Sequence, residues 1–543
     1  MQPRWQSSRR NKGAARDRRE EQVIVPAAPE SPPGPRPWWE TRWFVGAMIL
    51  LSAVPLLYPP IPPLVDLMGH MARYRVELDL GHSPELQRFY GYNWALIGNL
   101  GVDLLIWPLG KLLGLELATK LIVISIPVMT VAGFLWVARE VHHRLPPTVA
   151  FALPFAYGHH FLFGFVNYSL AMALAFLAFG LWLRLGRLGK LKLRAMLFVP
   201  ISIVVWVAHT FGWGMLGLLC FSAEAVRQHD AGRTWWKAAL GAAMQALVLA
   251  FPLLLMIAWR ENSGGFTGDW FSWKTKWMWL KSALRDRWYV YDLVSVGAAA
   301  AIFLFALVHR QLTISRMLSF TALVLLAAFI ILPRIIFGSA YADMRLMPFL
   351  LAVALLGIRF KAETQLPLAR VLAVLAVSFM LVRTATVTAS LAMATNDHQA
   401  KLPALQHVPL GARVATFVGA HCGWRWALPR NDHLGAMVTV RRLGFSNNQW
   451  LIDGANLLEV RNPAAGRFAF DPSQRIRPAR CSNRENWSID RSLTLLPRQA
   501  FDYVWLVDPP PFDRDLLSDA HLVWQNGNSS LYRLSRAHDN ESP

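Results

Sequence analysis

Apolar residues gather in long runs separated by short polar breaks, and only towards the C-terminus do they thin into shorter stretches. The runs fall at 43–57, 93–114, 117–138, 147–164, 168–186, 195–211, 211–226, 236–258, 290–308, 315–333, 345–358 and 368–388. A helix needs about 20 mostly apolar residues to cross a bilayer, so the pattern predicts a polytopic α-helical membrane protein. The first run is a little short by itself.

Charge in the breaks decides how many runs cross. The most basic breaks, at 139–144, 184–194, 227–237, 309–316 and 359–370, belong on the cytoplasmic side, where short loops carry excess Lys and Arg. With the N-terminus inside, all five fall there only if one early run stays out of the bilayer core. The run 93–114 is interrupted by Asn93, Asn99, Asp103, Pro108 and Lys111 at roughly helical intervals, so it is predicted to lie in or dip into the outer interface. That leaves about 11 transmembrane helices, with the N-terminus inside and the C-terminus outside. The outer connections are then the first loop 58–116, the turn 164–168, the turn 209–213, the Trp-rich loop 259–289 and the turn 333–345.

Three domains follow. Residues 1–42, rich in Arg and Pro, read as a disordered cytoplasmic tail. Residues 43–390 form the transmembrane part. Residues 395–543 have the composition of a small α/β domain, periplasmic in a bacterial inner membrane. Strands are expected at 413–418, 436–440 and 503–507, and a closing hairpin with a type I′ turn at Asn526-Gly527.

Composition agrees with the pattern. The chain of 543 residues is 54% hydrophobic and 16% charged, too apolar for a soluble protein of this size. Its net charge of +21 lies mostly in the breaks between runs, which argues against a nucleic-acid partner. Cys422 and Cys481 pair if their domain is in an oxidising compartment, or are two unrelated thiols.

Candidate chemistry gathers at the predicted outer edge. After Pro63 a helix would stack Asp66, His70 and Arg73 on one face, because residues four and seven apart lie one above another. The trio is either a reaction centre or a salt bridge that pins the loop. Asp66 suits a base whose pKa burial raises. His70 would orient it or share a divalent ion, Mg or Mn, with it. Outer arginines run against the charge trend, and Arg73, Arg334 and Arg345 suit phosphate; Arg345 alternatively pairs with Asp343 or meets a lipid headgroup. Tyr341, His159, His160, Asn167, Tyr168 and His209 fall at outer helix ends where a cavity would be lined. The Trp and Lys of 259–289 read as an interfacial belt or as a flap over a lipid carrier.

The layout resembles the GT-C glycosyltransferases, among them protein O-mannosyltransferases and the aminoarabinose transferase. The likeness rests on PPLVDLMGHMAR at 62–73, IWPLGKLLGLE before the second span, and YADMR at 341–345. It implies sugar transfer from a polyprenyl-phosphate donor to a glycolipid, polysaccharide or protein acceptor on the outer face. The family's acidic residue of the first loop maps onto Asp66; a paired-acid version of that motif is missing. Two rival readings remain, a transporter or flippase of a lipid-linked or anionic substrate, and a non-catalytic scaffold. No P-loop, dinucleotide fingerprint, HExxH or nucleophile elbow appears in a convincing context.

Overall fold

The computed structural model describes residues 37–258, 266–336, 338–361, 366–451 and 456–535. The predicted tail up to residue 36 and the stretch 259–265 of the Trp-rich loop lie outside them.

Each of the eleven runs expected to cross is helical, whole or broken. Leu115–His142, Val166–Arg187, Leu191–Ala208, Tyr289–Val308 and the helix beginning at Leu366 are long and apolar enough to span a membrane unaided. A bent pair, Trp235–Leu249 and Phe251–Ala258 at 53°, makes a sixth if it is one span. The others are shorter, at Arg42–Leu57, Val149–Phe163, Arg316–Ile331 and Ala342–Leu356, or carry more polar residues, at Thr210–Asp230. The chain is therefore a multi-pass membrane protein, with five or six full-length apolar helices among the described residues.

Close packing sets the bundle. A Cβ on Gly133 would stand 2.8 Å from the Cβ of Phe176, and one on Gly180 would stand 2.8 Å from the Trp136 ring. Glycine at these two positions lets Leu115–His142 and Val166–Arg187 approach closely.

The run 93–114 contains a helix of 13 residues, Gly101–Leu113. At 1.5 Å per residue it is about 20 Å long, short of the ~30 Å hydrocarbon core. Leu104, Leu105, Trp107 and Leu112 are exposed on it, while Asp103 and Gly110 are buried. This is the shape of a helix lying along an interface.

The helix Leu366–Lys401 has 36 residues, about 54 Å at the same rise, so it outruns a bilayer and leads directly into the C-terminal domain. There a six-stranded sheet forms from β1 (Arg413–Gly419), β2 (Phe445–Ser446), β3 (Arg475–Ile476), β4 (Tyr503–Val507), β5 (Ala520–Asn526) and β6 (Ser529–Leu534). The order is β2-β1-β4-β6-β5, with β3 also on β1. β1 is parallel to β2, β3 and β4, and the β4-β6-β5 side is antiparallel.

Two local expectations change. Residues 436–440 are helical within Leu434–Ala436 and Met437–Arg442; AMVTV is apolar but for Thr439 and buried throughout, and such a short buried run reads alike as strand or helix. The hairpin forms, but its turn is shifted by one residue. Asn526 pairs with Ser529, which leaves Gly527 and Asn528 as the turn, with the positive φ of +55° at Gly527. Cys422 and Cys481 are joined in a disulfide across 59 residues.

The sheet domain grips the first loop. Tyr90–Tyr92 pairs antiparallel with Leu458–Val460. Arg75 Nε donates to the Val440 carbonyl at 3.0 Å. A buried ionic clamp ties the same domain to the bundle. Arg430 bonds Asp286 at 2.5 Å and also the Pro63 carbonyl, and Ser390 Oγ donates to Asp286 at 2.9 Å. Arg383 meets Asp292 at 2.8 Å, and Trp426 Nε1 donates to Asp292 at 2.7 Å.

Candidate functional site

Asp66 is the residue before the helix Leu67–Asp79. Pro59, Pro60, Pro62 and Pro63 precede it and resist helix formation, because proline lacks the amide donor and restricts its predecessor. Behind Asp66 stands the end of the short helix His159–Phe163. Its Phe163 carbonyl accepts the Asp66 amide at 2.9 Å. Gly164, at φ +103°, is so close that a Cβ there would lie 2.7 Å from the Asp66 nitrogen. With Arg430 holding the Pro63 carbonyl, the Asp66 backbone is fixed on both sides.

The carboxyl is 16% exposed, and its Oδ1 lies 3.8 Å from His433 Nε2. His433 Nδ1 faces the Asn448 carbonyl at 3.1 Å, which assigns the proton to Nδ1 and leaves Nε2 as an acceptor towards Asp66. Burial holds His433 below the usual imidazole value. Burial also raises the Asp66 carboxyl well above the usual carboxylate range, helped by Asp471 and Asp432 and opposed by Arg475 and Arg345.

Three of those groups come from the sheet domain. Arg475, on β3, lies 3.5 Å from Asp471 and 4.0 Å from Asp432. These contacts are loose, and Asp432, mainly through burial, is pushed up to about 6. Trp450 closes the side, with its ring 5.0 Å from His70 and 4.7 Å from His433, both edge-on. Gly69 makes room for it, since a Cβ there would be 2.4 Å from the indole.

Arg345 supplies the opposite charge from the bundle. It starts in a turn where Tyr341 takes φ +64° ahead of Ala342–Leu356. Its guanidinium is 4.2 Å from the Phe165 ring, donates to Ser339 Oγ at 3.1 Å and the Ala340 carbonyl at 3.2 Å, and approaches His209 Nε2 at 3.5 Å. Among the described residues no carboxylate comes within 4.0 Å of it, and its Nε is buried without a partner. His160 meets the Tyr168 ring edge-on at 5.4 Å, and the Tyr168 hydroxyl donates to the Arg345 carbonyl at 2.7 Å.

The other predicted residues are spent on architecture. Arg73 does not converge on Asp66; it forms a buried pair with Asp103 at 2.9 Å, tying the loop helix to Gly101–Leu113. Asn167 locks the same joint, accepting from the Val102 amide at 2.6 Å and donating to Asp103 at 3.0 Å. Asp343 pairs with Lys276 at 3.4 Å and accepts from Trp279 Nε1 at 3.0 Å, so it is not the partner of Arg345. Those two partners sit on Trp273–Lys281, which makes this part of the Trp-rich loop an anchored helix. Arg334 pairs with Asp269 at 3.1 Å. His70 meets aromatic rings, Tyr74 and Trp450, with its Nδ1 buried and unpartnered. Among the described residues no three His, Cys, Asp or Glu side chains are placed to hold a metal, so Asp66 and His70 are without a third such ligand.

Sequence reading missed Asp432, His433, Asp471 and Arg475. They lie some 370–410 residues from Asp66 in the chain, in stretches such as NDH at 431–433 and DPSQR at 471–475 that carry no motif.

No family model matches the chain, and no curated protein does. Among solved structures it is similar to the crystal structure of ArnT from Cupriavidus metallidurans bound to undecaprenyl phosphate. The identity is 11%, the TM-score 0.49, and the match covers 91% of this chain and 98% of that one.

Proposed function

We propose that the protein is a GT-C-type glycosyltransferase that moves a sugar from a polyprenyl-phosphate donor to an acceptor hydroxyl on the outer face of the membrane. The observation that carries this reading is the pairing of opposites at one site, where the positive charge of Arg345 acts on the Asp66 carboxyl. Asp66 is a fixed carboxyl with a raised pKa, and Arg345 is a buried guanidinium with no carboxylate within 4.0 Å among the described residues.

Each group suits one half of a displacement. Asp66 takes the proton of the acceptor hydroxyl as its oxygen bonds to the sugar's anomeric carbon. The bond from that carbon to the phosphate oxygen breaks, and the departing phosphate keeps the electron pair. Arg345 and Arg475, whose charges both act on Asp66, meet that growing negative charge, and preorganised charge in a dry site is worth more than the same charge in water. Attack opposite the leaving group inverts the anomeric centre.

The test is Asp66→Asn at equal expression, with envelope glycans and lipid-linked sugars compared by mass spectrometry. Loss of one sugar mass from a glycan, with its lipid-linked donor accumulating, is expected. An unchanged profile would remove the proposal and favour the flippase or the scaffold.

A further inference from the structure

Beyond the cleft, the sheet domain carries a second concentration of charge. Between 467 and 491 the chain has six arginines, Arg467, Arg475, Arg477, Arg480, Arg484 and Arg491, against three acids, Asp471, Glu485 and Asp490. Arg475 belongs to the cleft. Of the rest, Arg467, Arg480, Arg484 and Arg491 are exposed, and among the described residues none of the five has a carboxylate within 4.0 Å.

The arrangement is built. Arg467 stacks 3.7 Å and Arg491 4.3 Å from the Trp487 ring. Arg467 also donates to the Arg484 carbonyl at 3.1 Å and the Glu485 carbonyl at 2.7 Å, and Trp487 Nε1 donates to the Arg484 carbonyl at 3.2 Å. The Cys422–Cys481 disulfide pins the loop between them. Two like charges on one indole repel each other, and the charge of Arg491, after burial, lowers the Arg467 guanidinium below its usual value. Folding alone does not favour such a pair, whereas an anion bridging the two guanidinium forks would relieve it. Arg477 follows Arg475 by two residues on an extended segment and so lies on the same side of it as Arg475.

We infer that the Arg467–Trp487–Arg491 surface binds an acidic saccharide. Its role as the docking surface for the acceptor rests on the transferase reading: an extended acidic glycan held there reaches past Arg477 and Arg475 and presents a hydroxyl to Asp66. The binding itself requires no transfer.

The experiment is a titration of the full-length protein in neutral detergent with mannose-6-phosphate oligosaccharide, oligogalacturonate and neutral maltoheptaose, repeated with vesicles of phosphatidylglycerol. The wild type should bind an acidic oligosaccharide and not the neutral one, and whichever acidic probe binds more tightly identifies phosphate or carboxylate as the recognised group. The triple variant Arg467→Gln, Arg484→Gln, Arg491→Gln should bind about tenfold more weakly, since each exposed charge contact contributes a factor of about two. Asp66→Asn should bind as the wild type, so loss of transfer and loss of docking are read separately. The inference is overturned if the triple variant keeps wild-type affinity, if acidic and neutral sugars bind alike, or if only the vesicles are bound.

Discussion

Two polar clusters lie where the sheet domain meets the bundle, and they are built on opposite principles. In the clamp each acid holds a guanidinium tightly, Asp286 with Arg430 at 2.5 Å and Asp292 with Arg383 at 2.8 Å. Around Asp66 the distances loosen to 3.5–4.0 Å, and among the described residues no acid lies within 4.0 Å of Arg345. Removing either partner of a tight buried pair strands a charge. A loosely paired cluster is already stranded in part, and that is the state a base and an anion site require. Substitutions in the two clusters should therefore fail in different ways.

The largest effect is expected at Asp66. Asp66→Asn should lower the transfer rate by about 10²–10⁴-fold, the range for loss of a general base, with an unchanged melting temperature in detergent. Arg345→Gln should lower kcat by about 10²–10³-fold, and Arg345→Lys by less, since the charge stays and the planar fork is lost. The clamp should behave in reverse. Asp286→Asn should destabilise by about 3–5 kcal/mol, read as a lower melting temperature, while the protein that remains folded keeps a kcat near wild type. A clamp variant that melts normally and loses kcat would erase the distinction.

The same contrast explains what the sequence made legible. Spanning runs, the short interrupted helix within 93–114 and the strand at 503–507 are local properties, written in hydrophobicity, charge bias and proline. The partners of Asp66 are not local. His433 and Arg475 reach it only because β1 pairs in parallel with β3 and the domain folds back over the first loop. The spacing of Asp66, His70 and Arg73 leaves open a reaction centre or a salt bridge that pins the loop, and Arg73 pairs with Asp66 in neither way. Asp103, 30 residues beyond Arg73, takes that guanidinium, and spacing within one helix says nothing of a competing acid on another. Asp343 fails for the same reason, because Lys276 and Trp279 reach it first.

The finest test leaves Asp66 in place and alters the charges around it. After burial, Asp471 is the largest influence raising that carboxyl. Asp471→Asn removes its charge and also releases Arg475, whose positive charge favours ionised Asp66; both changes lower the Asp66 pKa. A base works only when ionised, so activity falls as pH drops through that pKa, and the acid limb of kcat/KM should move to lower pH in Asp471→Asn. The plateau at higher pH should scarcely change, because Asp66 is ionised there in both proteins. A limb that stays in place would mean that the titrating group is not Asp66, whereas a lowered plateau with an unmoved limb would make Asp471 a direct substrate contact. The clamp offers a matched control: Ser390→Ala removes a hydrogen bond to Asp286 and should move neither limb nor plateau.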